Sequence, residues 1–214
     1  MKNILKYSFI IFSFALGSSF LISTFAIDLK LKNFNETLIG FALSFFGLGV
    51  VVASFTHNII RKKFNLYFTL VSSVIIQFLF VLLIFFHFKI LIILVITFIL
   101  GFTNHINFLT IETHISSKYK INSGFYISLF WSSAGLGAIL GSLIIAINGV
   151  NIFSYFIALS LIILQFIPII IAKSNVINII INNVKFSLSY KVVNNIKFIL
   201  LCVFLLGISD AGWS

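Results

Sequence analysis

A cluster of polar side chains lies inside one of the most apolar stretches of the chain, residues 90–115. Its members can donate, accept or carry a proton, and they are Asn104, His105, Asn107, Glu112 and His114. Imidazole is the side chain that titrates near neutral pH. A carboxylate in apolar surroundings needs a partner, water or a proton. This combination indicates binding or proton exchange in an apolar environment.

The spacing of these residues predicts a helix with one polar side. At 100° per residue, His105 and Glu112 fall within about 20° of each other. Asn107 and His114 form a second such pair, and Asn104 lies between the two pairs. The opposite side carries Phe102, Ile106, Leu109 and Thr113. We therefore expect one face toward lipid and one toward protein or water, where ionisable residues mark a functional site.

The composition places this helix in a membrane protein. The chain has 214 residues, of which 61% are hydrophobic and 8% charged, whereas a soluble domain carries about 25% charged residues. The net charge of +10 comes from basic residues between apolar runs, so it indicates topology and not a nucleic-acid surface. The single cysteine, Cys202, cannot form an internal disulfide. Abundant Phe, Ile, Asn and Lys are typical of an AT-rich, bacterial genome.

Seven apolar runs are near the length of about 20 residues that crosses a bilayer. They cover residues 5–27, 38–60, 66–88, 90–115, 124–149, 150–173 and 198–214. The sequence thus predicts an all-α integral membrane protein, with six helices in one bundle and a partial seventh.

Basic residues alternate between the two sides of these spans. If the N-terminus is cytoplasmic, 11 of the 14 lie on that side: Lys2, Lys6, Arg61, Lys62, Lys63, Lys118, Lys120, Lys173, Lys185, Lys191 and Lys197. The outer side then holds only Lys30, Lys32 and Lys89. The positive-inside rule therefore predicts a multi-pass protein of the bacterial cytoplasmic membrane with its N-terminus inside.

The chain divides into three parts by the same pattern. Residues 1–173 form the predicted six-helix bundle, and residues 174–197 are an Asn-rich, basic cytoplasmic linker. Residues 198–214 would begin a second half, so we expect the chain to be a fragment of a longer architecture.

Small residues recur in the second and fifth spans. Ser133, Gly137 and Gly141 repeat at intervals of four, a pattern that lets helix backbones approach closely. The pattern indicates tight helix packing, and the alternative is a surface on which helices rock against a partner half.

The order of these features resembles the first half of a transporter of the major facilitator superfamily. The second span, ETLIGFALSFFGLGVVVAS, is followed by the basic turn RKKFN, where the superfamily has its loop between helices two and three. A basic loop and a Gly-rich fifth span, GFYISLFWSSAGLGAILGSLI, follow the fourth span, and a linker follows the sixth. The stretch GFTNHINFLTIETHISS is similar to a bacterial permease group whose fourth helix ends in Gly…Glu-Ser-Trp-Leu-Asn. Gly101 and Glu112 match that ending, whereas its Trp, Leu and Asn have no match here.

The loop between spans two and three departs from the superfamily pattern Gly-x-x-x-Asp-Arg-x-Gly-Arg-Arg. Ser54 stands at the Gly, neutral Asn58 at the Asp, and Lys62 and Lys63 at the paired basic positions. A gating latch made by Asn58, Arg61, Lys62 and Lys63 is therefore expected only in a modified form.

The resemblance implies which side chains line a central cavity, because helices one, four and seven do so in this superfamily. These residues are Ser18, Ser19, Asn104, His105, Asn107 and Asp210. Glu112 would lie nearer the cytoplasmic gate. His105 could bind substrate or a coupling proton, or be a structurally satisfied histidine. Glu112 could pair with Lys118 or Arg61, or act in transport. His57, His87 and His114 lie near span ends and are expected at the membrane interface.

The predicted function is secondary active transport of a small solute by alternating access. The partners expected are that solute, a coupling proton or Na⁺, the lipid bilayer and a second half or a second copy of the chain; no cofactor, metal or nucleic acid is indicated. The alternative is a non-transporting scaffold or accessory subunit. An intramembrane protease is disfavoured because no Gly-x-Ser-Gly with a matching histidine occurs.

Overall fold

The computed structural model describes residues 2–84 and 90–173, and every regular element in these ranges is a helix. Six helical spans are long and apolar enough to cross a membrane. The prediction of an all-α membrane bundle with six spans is therefore confirmed. The predicted linker 174–197 and partial seventh span 198–214 fall outside the described residues.

The helices follow one another with short connections. They are α1 Lys2–Leu31, α2 Glu36–Lys63, α3 Leu66–Ile84, α4 Ile90–Lys118, α5 Ser123–Asn148, α6 Ile152–Leu164 and α7 Phe166–Lys173. The first, second and fourth helices continue beyond the predicted apolar runs because their polar ends remain helical.

Asparagine side chains begin three of the helices. The Oδ1 atoms of Asn35 and Asn65 accept from the backbone N–H groups of Leu38 and Phe68, at 2.8 and 2.7 Å. Asn151 begins α6 with a full capping box, in which its side chain and that of Ser154 each bond the other's backbone N–H. These bonds satisfy N–H groups that a helix start leaves unpaired, which is costly near a membrane.

The sixth span, predicted as one helix, is broken at Gln165. Pro168 has no N–H, so it cannot bond the carbonyl group of Leu164 four residues earlier. The N–H of Gln165 bonds the carbonyl of Ile162 instead, at 3.1 Å, and α7 continues from Phe166. The two helices together still provide one membrane-length span.

The bundle is built around two close helix pairs, of which the first joins α1 to α5. Gly137 and Gly141 lie directly on the backbone of α1. A methyl group at these positions would overlap the carbonyl oxygens of Phe12 and Leu16. The tight-packing interpretation of the fifth span is therefore confirmed for these two glycines.

The second close pair joins α2 to α4 in the same manner. Gly49 of α2 lies on the α4 backbone, where a methyl group would overlap the Phe98 carbonyl oxygen. Gly101 of α4 lies equally close to the carbonyl oxygen of Phe46. Only glycine allows these backbones to approach so closely.

The two pairs belong to an internal repeat. The segment 47–54, GLGVVVAS, recurs as GLGAILGS at 135–142, 88 positions later. The four buried positions of α2 recur on α5 with the same spacing: Ala42, Gly49, Ala53 and His57 correspond to Phe130, Gly137, Gly141 and Ile145. The fifth buried residue of α5, Ala134, corresponds to half-buried Phe46. Helices α1, α2 and α3 thus correspond to α4, α5 and the broken sixth span.

The repeat relates two three-helix units, residues 2–84 and 90–173. The α1–α5 pair is the counterpart of the α4–α2 pair. In each pair, the first helix of one unit packs against the second helix of the other unit. Because each unit has an odd number of spans, the second unit runs through the membrane in the opposite direction to the first. The bundle therefore has the form of an inverted-topology repeat.

Candidate functional site

Helix α4 contacts four neighbours, and its polar residues divide among them. The single polar arc predicted from the helical wheel is wrong in this respect. Ile106, predicted on the lipid side, is only 3% exposed, because α4 lies inside the bundle and not at its edge. The polar side chains of α4 therefore do not share one surface, and several of them contact different neighbouring helices.

His105 contacts α2. Its Nε2 atom lies 3.0 Å from the Ser54 hydroxyl, and the pair is on the exposed side of the two helices. The Ser54 hydroxyl also donates to the Val50 carbonyl of its own helix at 3.0 Å, so it accepts from a protonated Nε2. His105 is thus a half-buried imidazole held in a hydrogen bond that water or a ligand can reach.

Asn107 faces α3 and is fully buried, at 0% exposure. Its Oδ1 accepts from the Ser73 hydroxyl at 2.6 Å, while its Nδ2 has no hydrogen-bond partner within the described residues. One turn away, Gln77 Nε2 donates to the Thr103 hydroxyl at 3.1 Å. The structure therefore places Asn107 in a polar seam between α3 and α4, away from the surface that His105 occupies.

Asn104 is 8% exposed, and its Oδ1 finds no donor in the part of the chain that the structure describes. A buried carbonyl oxygen without a partner costs about 1–3 kcal/mol, unless water or a ligand satisfies it. Asn104 therefore has a buried hydrogen-bond acceptor that is not used within the described residues, as Asn107 has an unused donor.

His114 faces α1 and is buried, so its prediction as an interfacial residue does not describe its surroundings. Its Nε2 lies 2.9 Å from the Tyr7 hydroxyl, and the two rings meet edge to face with centroids 5.1 Å apart. Lys118 lies over the Tyr7 ring, with Nζ 6.0 Å from its centroid. This end of α4 is therefore tied to α1.

The same end of α4 also meets the following loop. Lys118 Nζ lies 5.8 Å from the centroid of the Tyr119 ring, which contacts the Tyr126 ring at 4.9 Å. Partial burial raises the pKa of Tyr119, and Tyr126 adds to this effect. Tyr119 therefore remains neutral at physiological pH.

Glu112 contacts α5. Its Oε1 accepts from Trp131 Nε1 at 3.5 Å, a long hydrogen bond on the exposed side, where Trp131 is 45% exposed. The expected pairing of Glu112 with Lys118 or Arg61 is not present: the ion pairs within the described ranges join Lys30 to Glu36 and Lys32 to Asp28. Glu112 is therefore a carboxylate without a cationic partner in these ranges.

Ser19 of α1 contacts α5 in the way that His105 of α4 contacts α2. Its hydroxyl donates to the Ala138 carbonyl at 2.8 Å and lies 2.7 Å from the Ser142 hydroxyl, which also accepts from Ser23 at 3.3 Å. Ser18, predicted beside it, bonds only the Ala15 carbonyl of its own helix. Ser19 thus joins α1 to α5 as His105 joins α4 to α2.

Sequence reasoning missed Ser54 and Ser142 as partners in these contacts. Both stand at the last position of the repeated segment, GLGVVVAS and GLGAILGS. Reading that repeat would have identified Ser54 and Ser142 as equivalent, whereas the correspondence of His105 with Ser19 follows only from the contacts that they make.

The predicted gate residues lie on the last two turns of α2. Asn58, Lys62 and Lys63 are exposed, and Arg61 is half-buried. Asp210, the remaining predicted cavity residue, lies outside the described residues.

The polar contacts thus form three groups on the exposed side of the bundle, one between α2 and α4, one between α1 and α5, and one between α4 and α5. Ser54 and His105 are in contact, but the Ser54 hydroxyl donates to the Val50 carbonyl and not to the imidazole, so hydrogen bonding and proton exchange are the chemistry that these contacts offer. No family model matches the chain, and no curated protein matches its sequence. What the protein does must therefore be inferred from its own helices and side chains.

Proposed function

We propose that this chain forms half of a secondary transporter that carries a small solute across the bilayer by alternating access. The observation that carries the proposal is the inverted repeat of two three-helix units, joined by the equivalent pairs His105–Ser54 and Ser19–Ser142. Inverted repeats with a binding site near their shared interface are characteristic of secondary transporters.

The exposure of these pairs supports a solute path beside them. A polar group facing lipid costs free energy that a hydrogen bond only partly offsets. Ser54, Ser142 and Trp131 are nevertheless exposed, together with their bonds to His105, Ser19 and Glu112. A water-filled cavity between this bundle and an opposing half would satisfy these exposed groups.

The family proposed is the major facilitator superfamily, with this chain as the N-terminal half in a bacterial cytoplasmic membrane. Support comes from the order of basic turn, Gly-rich fifth span and linker in the sequence, and from the close α1–α5 and α2–α4 pairs. A second half or a second copy would supply the opposing wall, and a proton or Na⁺ the driving force. The N-terminus is proposed to be cytoplasmic.

A second candidate function is that of a non-transporting accessory subunit. The outer faces of α2 and α5 favour it to some extent, because Gly40, Gly47 and Gly135 have open space where a methyl group would stand. Small residues on a free helix face allow a partner helix to approach closely.

Solute counterflow in proteoliposomes tests the two functions. The complete reading frame containing this chain is purified and screened against labelled pools of amino acids, sugars, organic acids and nucleosides. We expect exchange of one pool, reduced about tenfold or more by His105→Ala, which removes a hydrogen bond at the cavity surface. Ser160→Ala is the matched control, because Ser160 bonds only the Phe156 carbonyl on the exposed side of α6.

Absence of exchange with every pool, in protein that is inserted and monodisperse, would contradict the transporter. Co-purification of such protein with a separate transporter would support the accessory subunit.

A further inference from the structure

Glu112 differs from the other acids of the described ranges in having no cationic partner there. Asp28 and Glu36, the other two acids in these ranges, each form an ion pair with a nearby lysine. A carboxylate on a membrane-spanning helix is costly unless it is paired or hydrated. The position of Glu112 on α4 therefore favours a cation that comes from outside this part of the chain.

Aromatic rings lie beside this carboxylate. The Nε1 atom of Trp131 donates to Glu112 Oε1 at 3.5 Å. The indole packs against Phe108 of α4, with ring centroids 5.6 Å apart, and nearly perpendicular to Phe130, with centroids 5.4 Å apart. Phe130 is fully buried, whereas Trp131 is 45% exposed. The indole is therefore held from the inner side of the bundle and remains accessible from the outer side.

The contact between Trp131 and Glu112 leaves the carboxylate able to bind a cation. Its length of 3.5 Å exceeds the range of about 2.7–3.2 Å that is usual for an N–H···O hydrogen bond. A carboxylate has about four lone-pair positions, and the indole N–H uses one of them. Glu112 thus keeps most of its capacity to accept hydrogen bonds and all of its charge.

Space for a ligand is available beside the indole. Gly135 follows Trp131 by four residues, so it lies one turn further along the same side of α5. Nothing lies within 4 Å of the point where a Cβ atom of residue 135 would stand. The carboxylate, the exposed part of the ring and this open space therefore adjoin one another at the α4–α5 contact.

We propose that Glu112, Trp131 and Phe108 form a binding site for the substituted ammonium group of a monovalent organic cation. The carboxylate supplies the opposite charge. The indole attracts a cation to its face, an effect that is stronger for Trp than for Phe or Tyr, and both rings contact the alkyl substituents on the nitrogen. The site would select cationic solutes for transport, and in this role it rests on the proposed function.

The side chains at this site suit an organic cation better than a metal ion. Within residues 2–84 and 90–173, no group of three or more His, Cys, Asp or Glu side chains is placed to hold a metal ion. Zinc takes three or four such ligands, and calcium takes six to eight oxygen atoms. Indole and phenyl rings supply none of these, whereas they are the usual contacts of a quaternary ammonium group.

Isothermal titration calorimetry of the complete protein in an uncharged detergent, dodecyl maltoside, tests the site without a transport assay. The probes are tetramethylammonium, choline and benzyltrimethylammonium, and the ligand control is 3,3-dimethylbutan-1-ol, the uncharged isostere of choline. We expect saturable binding of at least one cation, and binding of the alcohol that is weaker by about tenfold or more. Absence of binding by all three cations in monodisperse protein, or equally strong binding of the alcohol, would overturn the proposal.

Glu112→Gln separates cation binding from the contact between α4 and α5. Glutamine keeps an oxygen that accepts from Trp131 Nε1 but carries no charge, so the affinity for the cation should fall about tenfold or more. Glu36→Gln is the matched control, because it removes the same charge from an exposed carboxylate on α2 and should leave the affinity unchanged. Unchanged affinity in folded Glu112→Gln protein would contradict the site.

Substitutions of Trp131 test the aromatic contribution. Affinity should fall in the order Trp, Phe, Leu at this position, with about a tenfold difference between Trp131 and Trp131→Leu. Phe153→Leu, which removes an exposed ring from α6, is the control. In protein labelled with 5-fluorotryptophan, the ¹⁹F signal of Trp131, assigned with Trp131→Phe, should shift as the cation binds. A shift confined to other tryptophan signals would place the cation elsewhere and overturn the proposal.

The counterflow assay separates the cation site from the transport function. Cation binding that Glu112→Gln weakens, in protein that exchanges no solute, would support the site and remove its role in transport. Exchange of a solute by protein that binds none of the three cations would overturn the site and leave the transporter in place.

Discussion

The hydroxyl of Ser19 lies 2.7 Å from that of Ser142, and this contact between α1 and α5 is the counterpart of the one between His105 and Ser54. The repeat relates α1 to α4 and α5 to α2, so the two contacts join equivalent helices. One of them holds only hydroxyl groups, whereas the other holds an imidazole. The bundle is therefore symmetric in its backbone and asymmetric in its capacity to bind a proton.

The close α2–α4 contact leads to a first prediction about stability. Gly49→Ala should destabilise the bundle by about 1–3 kcal/mol or more, because the new methyl group overlaps the Phe98 carbonyl oxygen and backbone must move. Thermal unfolding in detergent, followed by size-exclusion chromatography, measures the effect. Gly47→Ala is the matched control, since nothing lies within 4 Å of its added methyl group. Equal stability of the two variants would contradict the close contact.

The equivalent glutamines of the repeat give a second prediction. Gln77 donates to Thr103 at 3.1 Å, but its counterpart Gln165 faces Gly17, which has no side chain to bond. Gln77→Met should therefore cost about 0.6 kcal/mol, a typical value for a hydrogen bond between membrane helices. Gln165→Met should be neutral or stabilising, because it removes a buried Oε1 that has no partner in the described ranges. A larger loss at Gln165 than at Gln77 in the same unfolding assay would refute this.

A buried carboxylate at the far end of α1 gives a third prediction. Asp28 Oδ2 accepts from the Tyr155 hydroxyl at 2.5 Å and from Lys32 Nζ at 2.9 Å. Tyr155→Phe should destabilise the bundle by about 1.5–3 kcal/mol, because it removes a hydrogen bond to a charged group. The loss should be much smaller when Asp28 is already asparagine.

A double-mutant cycle with Asp28→Asn measures that coupling. Glu36→Gln serves as the control, since the ion pair of Glu36 with Lys30 spans 3.6 Å between exposed side chains and should contribute little. Additive effects of the Tyr155 and Asp28 substitutions would show that the contact does not form.

The proposed orientation gives a fourth prediction. In a Cys202→Ser background, a cysteine placed at Asn33 should react with an impermeant maleimide added to intact cells. A cysteine at Ile121, which is 97% exposed in the α4–α5 connection, should react only after the cells are opened. The reverse pattern would place the N-terminus outside.

The spans could be predicted from the sequence because hydropathy measures the property that selects them. The close approach of Gly137 and Gly141 to α1 was also predictable, since small residues at intervals of four in an apolar helix are typical of a close backbone contact. The distribution of the α4 polar residues among four neighbouring helices could not be predicted. A helical wheel gives directions around one axis, but it does not say which neighbour stands in each direction.

His57 shows the same limit. Its position near the end of an apolar run indicates an interface, yet the structure buries it because α2 lies along α4 over the whole series Ala42, Gly49, Ala53 and His57. Ser54 and Ser142 do not stand out in the sequence, because a serine in a membrane helix commonly bonds its own backbone. Only their shared place in the repeated segment distinguishes them.

The repeated segment has a consequence for how such a bundle could arise. If both units descend from one duplicated three-helix ancestor, that ancestor had to insert in either direction, and the copies had to lose this freedom afterwards. The basic turn Arg61-Lys62-Lys63 of the first copy corresponds to Gly149-Val150-Asn151 in the second, where no charge remains. A dual-topology ancestor would have acquired its fixed orientation through this divergence, in which the loop of the first copy stayed basic and the equivalent loop of the second copy became neutral.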